Sequence, residues 1–192
     1  MHRFPARFMG TLALLLCCMS ASGAVITLTT ASGWQQSLDG GVTWTPAQAT
    51  MVNYLPGGQS MPSLWPLGVG DGTPVLFRLS FPLSGTPVSG TLWIAQDDDG
   101  TFKVNGAMVL VDGDYVANDY GPFDITPYLQ SGNNLFEASV YSTFCCVRGF
   151  AAYAVIETRE GDVVVPEPST VGLMVGGLAV FVWIGRRRIL AG

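Results

Sequence analysis

Residues 75–81, Val-Leu-Phe-Arg-Leu-Ser-Phe, put an apolar side chain at every second position. Val75, Phe77, Leu79 and Phe81 then share one face, while Arg78 and Ser80 take the other, the pattern of a half-buried strand. A helix over the same span would scatter those four side chains around its circumference. The period of two recurs over Leu135–Tyr141, where Phe136, Ala138 and Val140 point inward, and Thr91–Ala95 predicts another strand. Phe150–Ile156 is apolar on both faces, which predicts a central strand. Asn105-Gly106 separates Phe102–Val104 from Ala107–Val111 and signals a two-residue type I′ hairpin, because both turn positions need positive φ. Asp39-Gly40-Gly41 marks an earlier turn between Trp34 and Trp44, and the Gly- and Pro-rich stretch from Ala47 to Pro74 reads as an ordered loop over one end of the molecule. Many short strands with turn signals between them predict an all-β sandwich. Residues 25–160 are enough to bury its core without staples.

Both ends of the chain carry targeting patterns. Arg3 and Arg7 precede an apolar run from Met9 to Met19, and Ser20-Ala21-Ser22-Gly23-Ala24 supplies small residues for cleavage, so residues 1–24 read as a secretory signal peptide. Cys17 and Cys18 lie within it, and Leu16 fills the place where a lipoprotein would need a small residue. At the far end, Val171–Ile184 is continuously apolar and Arg186, Arg187 and Arg188 follow. A span needs about 20 apolar residues and at least about 17, so residues 171–185 predict a short transmembrane helix. Its Val, Leu, Ile and Phe residues favour insertion by roughly 4 kcal/mol in total. The three arginines should hold residues 186–192 in the cytoplasm as a membrane stop, while the leader sends the rest outward.

Once both ends are set aside, Arg78, Lys103, Arg148 and Arg159 face all fourteen acidic residues, a balance of −10. Such a body repels nucleic acid and anionic lipid headgroups. The only histidine, His2, sits in the leader, so residues 25–160 hold no His-dependent hydrolase and no usual zinc site. The body is therefore expected not to be an enzyme. A carboxylate-dependent glycosidase is the catalytic alternative that needs no histidine. Asp97, Asp98 and Asp99 read first as a solvated turn. A structural calcium is the second reading of the triplet, with Asp97, Asp99, Asp112 or Asp114 as oxygen donors, although no EF-hand spacing occurs.

Cys145 and Cys146 are the only cysteines after the leader, and they are adjacent. Neighbouring Cα atoms stand about 3.8 Å apart against the 4.4–6.8 Å that disulfides usually span. Three states stay open for the pair: a vicinal disulfide in a strained turn, two free buried thiols, or pairing between molecules. Among the aromatics, Trp34, Trp44 and Trp93 are expected to fill the core. Tyr115 and Tyr120, in the acidic run Val-Asp-Gly-Asp-Tyr-Val-Ala-Asn-Asp-Tyr, are candidates either for stacking on a sugar ring or for structural packing.

Two resemblances add to this reading. The order Val165-Pro166-Glu167-Pro168-Ser169-Thr170, short apolar span, arginine cluster is similar to the PEP-CTERM sorting tail of Gram-negative bacteria, also called an ice-binding-protein C-terminal motif. That resemblance implies recognition of Pro166, Glu167 and Pro168 by exosortase, a membrane-embedded processing enzyme. It also implies a precursor anchored in the inner membrane and a product at the cell surface or in the extracellular matrix. Two prolines fit such a role, since they fix φ, lack N–H donors and keep residues 161–170 extended. Ice binding itself would call for regular Thr-rich repeats, which the body lacks. The segments WQQSLDGGVTW, LFRLSF, LWIAQDDDGTFKVNGAMV and YGPFDITPYLQSGNNLFEASV resemble the galactose-binding-like jelly roll, a sugar-binding part of many glycosidases. The resemblance implies a single jelly-roll β-sandwich over residues 25–160, flanked by the signal helix and the transmembrane helix. Its implied role is non-catalytic binding or structure, with extracellular polysaccharide as partner. The alternative is a lectin with a defined sugar site.

Overall fold

A computed structural model describes residues 23–31, 33–143 and 148–160. The signal segment 1–22, the Cys145–Cys146 pair, the Pro166-Glu167-Pro168 motif, the apolar run 171–185 and Arg186, Arg187 and Arg188 all lie outside the described residues. Among the described residues no helix is long and apolar enough to cross a membrane. Two antiparallel sheets face each other. Sheet A holds β10 (Asn118–Asp124), β7 (Thr86–Asp97), β12 (Gly149–Arg159), β5 (Met61–Leu64) and β4 (Ala49–Tyr54) in that order, and β1 (Gly23–Thr29) pairs along the rest of β12. Sheet B runs β3 (Thr45–Pro46), β2 (Gln35–Ser37), β6 (Val75–Leu83), β11 (Gly132–Tyr141), β8 (Asp99–Val104) and β9 (Ala107–Asp112).

The alternating runs sit where their period requires. Val75, Phe77, Leu79 and Phe81 are all buried, and β6 registers with β11 from Val75 opposite Val140 to Leu83 opposite Gly132. β12 is central, with β7 along one edge and both β1 and β5 along the other. Rings from the two sheets meet in the middle: Phe150 of sheet A lies 5.3 Å from Phe77 and 6.1 Å from Phe102 of sheet B, and 5.2 Å from Trp34. At the hairpin, Asn105 and Gly106 take φ of 49° and 82°, as a type I′ turn demands. The Asn105 side chain also ties the hairpin to β11. It donates to Tyr128 O at 2.7 Å and Asn134 Oδ1 at 2.8 Å and accepts the Leu135 N–H at 2.8 Å. The Val-Asn-Gly and Asn-Asn-Leu segments are therefore fold-holding elements.

Several expectations are corrected. The stretch from Ala47 to Pro74 is no plain loop, since it contains β4, a 3-10 turn at Pro56–Gly58, and β5. Its strands escape a period-2 reading because polar groups pair inside them: Thr50 Oγ1 and Ser63 Oγ stand 2.6 Å apart, and Ser63 donates to Val52 O at 3.0 Å. Of the three tryptophans expected inside, Trp34 is buried in the core. Trp93 instead stacks near Tyr153 at 5.4 Å, and Trp44 lies under the Arg78 guanidinium at 4.0 Å. Both are half-buried: Trp93 on the outer face that its odd position in β7 dictates, and Trp44 in the turn just before β3. Trp65, inside the stretch expected to be an ordered loop, joins the core instead. β1 begins at Gly23, two residues inside the expected leader, and pairs Gly23 with Arg159 and Ala24 with Thr158.

Candidate functional site

Two connections between the sheets run side by side at one end of the sandwich. β7 leaves sheet A at Asp97 and β8 opens sheet B at Asp99, while β9 leaves sheet B at Asp112 and β10 re-enters sheet A at Asn118. Register holds the crossings together, because Asn118 faces Gln96 and Gly100 faces Asp112. The aspartate triplet is thus the corner where the chain changes sheets. That overturns the solvated-turn expectation: Asp97, Asp98 and Asp99 are all buried, since a corner between layers is shielded by both of them.

The triplet splits into two environments. Asp97 continues the outward parity of Trp93 and Ala95, and its carboxylate accepts the Tyr54 hydroxyl at 3.3 Å. Asp98 Oδ2 accepts the Thr143 N–H at 2.7 Å and its hydroxyl at 2.8 Å. Asp99 turns towards the second crossing, where Oδ1 accepts the Tyr115 N–H at 2.8 Å. Asp99, Asp112 and Asp114 each bring one carboxylate oxygen within 4.8 Å of the others. Asp97, paired with Asp99 in the sequence reading as a calcium donor, is not in that group.

Tyr115 is exposed, with φ of 62°, and stands in the connection 113–117. Tyr120 differs. Its ring packs against the core, its hydroxyl accepts from Asn118 Nδ2 at 3.2 Å, and burial followed by the Asp112 carboxylate pushes its phenol up to about 12. Beside these crossings an open cleft of about 330 Å³ is lined by Asn53, Tyr54, Gln96, Asn118 and Asp119, with Ala95 at its floor. Asn53 and Gln96 were not foreseen as site residues. Only the β4–β5 pairing, hidden in the Gly- and Pro-rich stretch, brings Asn53 and Tyr54 there.

Burial, and then the neighbouring Asp98 carboxyl, push the Asp97 carboxyl up to about 6. Burial followed by the Asp97 charge also pushes the Tyr54 phenol well above its ordinary value. A carboxyl raised on folding stabilises the fold while protonated. Its contribution is complete below about 3.8 and is lost as the pH rises through about 6. Asp39 acts in the opposite sense in a lower window. Thr43 and Ser37 donate to it and hold it below the carboxylate range, so its contribution is present above 3.8 and lost as the pH falls. Melting curves between pH 4 and pH 7 should therefore show the native protein losing stability relative to Asp97→Asn. Parallel profiles would contradict this account of Asp97.

No curated protein sequence matches the chain. Among solved structures it is similar to a β-D-glucuronidase from Dictyoglomus thermophilum, with 14% identity and a TM-score of 0.41 over 74% of this chain and 29% of that one. A glycosyl hydrolase family 2 member from Bacteroides cellulosilyticus gives 14% and 0.40 over 68% and 20%. The GH26-CBM35 β-(1,4)-mannanase of Podospora anserina gives 11% and 0.38 over 71% and 28%. The chain thus spans less than a third of the length of each of these enzymes. The one family match falls on the tail, over residues 164–188, where the order of proline-flanked glutamate, apolar run and arginines was read from the sequence. This chain carries a PEP-CTERM protein-sorting motif, the mark of an exported protein whose precursor is processed at a membrane.

Proposed function

We propose that this is a non-catalytic binding protein of the cell surface or extracellular matrix of a Gram-negative bacterium, with a galactose-binding-like jelly roll as its body and exosortase as its processing partner. The tail motif supports the delivery half of this reading. One observation carries the binding half: the cleft at the sheet crossings gathers amide, carboxylate and phenol groups from Asn53, Tyr54, Gln96, Asn118 and Asp119. Such groups recognise the hydroxyls of a saccharide by directed hydrogen bonds, and the exposed Tyr115 ring nearby offers a stacking face. With a body balance of −10, the matching ligand is a neutral extracellular polysaccharide in preference to a polyanionic one. That cleft also favours the lectin form of the reading, with a defined sugar site, over a purely structural coat protein.

Screening the exported protein against immobilised glycans tests this. Binding to a neutral saccharide is expected, weakened about 5- to 10-fold by Asn53→Ala or Asp119→Ala, since each lost hydrogen bond to a sugar removes about 1–1.5 kcal/mol. Both positions are exposed, so neither change burdens the fold. Absence of binding to every glycan would leave a structural role. Hydrolysis of aryl glycosides that Asp97→Asn abolishes would favour the glycosidase instead, with the raised Asp97 carboxyl as its acid.

A further inference from the structure

We propose that the outer edge of β1 pairs with the same edge of a second copy of this chain, so that sheet A continues from one molecule into the other. A bare strand edge offers a row of unpaired N–H and C=O groups, and folded proteins blunt such edges with proline, charge, brevity or a bulge. Among the described residues, the terminal strands of both sheets are blunted in these ways. β10 contains Pro122 and a register shift between Tyr120 and Phe123, and Asp119 and Asp124 add charge. β4 shifts register between Ala49 and Asn53. β3 is two residues long and ends in Pro46. β9 carries an extra residue, Val109, against β8 and ends in Asp112. β1 has none of these devices. Its residues Gly-Ala-Val-Ile-Thr-Leu-Thr hold no charge and no proline, and they match β12 without a shift from Gly23 opposite Arg159 to Thr29 opposite Tyr153. Among the described residues no strand besides β12 pairs with it.

Side-chain exposure agrees. Ile26 and Leu28 pack on the core yet stay half-buried, while Val25 and Thr27 face solvent, so the core is left open along this margin. The chain's own tail is too short to close it. Crossing the end of β1 from β12 spans two strand spacings, about 9.6 Å, and takes about three residues. Five residues lie between Glu160 and Pro166, which leaves about two to pair before prolines that lack N–H donors. A second copy fits the whole edge. In an antiparallel pair centred on Thr27, Ile26 of each copy faces Leu28 of the other and closes both core margins. On the outer side Val25 faces Thr29 and Thr27 faces Thr27, pairs that suit a sheet. This register uses only residues 25–29, which lie outside the expected leader. The two bodies, each with a balance of −10, also meet here along an uncharged strip, where their approach costs least. The cleft of each copy stays open, because Gln96 lies opposite Phe150 at the far end of β12.

Sedimentation of the exported protein in reductant, which removes any pairing through cysteines, tests this. The mass should double between low and high micromolar concentration, since one short strand pair buries less than the roughly 1,200 Å² of a tight complex. Thr27→Lys sets two lysines face to face and should raise Kd at least about 5-fold. Thr27→Glu should act alike, and an equimolar mixture of the two variants should regain the native dimer, because each lysine then meets a glutamate. Thr27 is exposed, so neither change burdens the fold, and equal urea midpoints check this. A native protein that stays monomeric at every concentration would overturn the proposal. So would a dimer whose Kd neither variant changes, or a different protein that sediments with the native chain and is lost from Thr27→Lys.

Discussion

Replacing Phe150 with alanine is expected to lower the free energy of unfolding by about 4 kcal/mol, within the 3–5 kcal/mol range for deleting a fully buried phenylalanine. Phe150 is 0% exposed and sits on the central strand β12. Its ring is stacked against Phe77 across the sandwich at an interplanar angle of 20° and meets Trp34 edge-on at 73°. Loss of the ring therefore removes transfer energy, leaves a cavity between two layers, and breaks aromatic pairs worth about 0.5–1.5 kcal/mol each. Against a total stability of 5–15 kcal/mol for a domain of this kind, that brings the variant near its unfolding threshold. Phe150→Leu keeps most of the volume and should cost about 1.5 kcal/mol. Met51, fully exposed on β4, should tolerate alanine with a change below about 0.5 kcal/mol. Urea unfolding of the three variants checks the series. A Phe150→Ala loss under about 1 kcal/mol would mean that this ring does not join the layers.

The second large effect concerns export. Changing Pro166, Glu167 and Pro168 together to alanine is expected to lower the processed, extracellular fraction at least about 10-fold and to trap the precursor in the membrane. Alanine is the best helix former, and each proline disfavours a helix interior by about 3 kcal/mol relative to it. The substitution thus removes about 6 kcal/mol of resistance to helix just before an apolar run that favours helix in lipid. A processing enzyme that needs an extended segment would then meet a helix. Glu167→Gln separates charge from shape, because it keeps both prolines and loses only the carboxylate. Immunoblots of membrane and medium fractions read both variants. Unchanged release from the triple variant would show that the motif is not the recognised element.

Legibility in the sequence followed the range of the interactions involved. β6, β11, β12 and the Asn105-Gly106 hairpin could be read because their determinants are local: side-chain parity, and positive φ at two turn positions. β4 and β5 could not, because their polar positions are satisfied by partners in each other, such as Thr50 with Ser63, and no local pattern records that. Trp44 and Trp93 were misplaced by hydrophobicity, which says that a ring is covered without saying on which side of a sheet. Trp93 is covered from outside, where Gly57 at φ 60° lets the 3-10 turn pass over its ring. The aspartate triplet misled for a related reason. Three consecutive acids before a glycine suggest a wet turn, yet the chain switches sheets there and both layers shield it. Asp99, Asp112 and Asp114 were recognisable as oxygen donors by type. Their convergence, and the separation of Asp97 from them, depends on two crossings being neighbours, which only tertiary structure reveals.

The most direct test of the account is the mass of the C-terminal peptide of the protein recovered outside the cell. Sorting through the tail predicts a terminus at or close to Pro166-Glu167-Pro168, with the apolar run and Arg186, Arg187 and Arg188 removed. An extracellular or surface protein that still ends in Leu190-Ala191-Gly192 would contradict it, and would make the tail a permanent anchor.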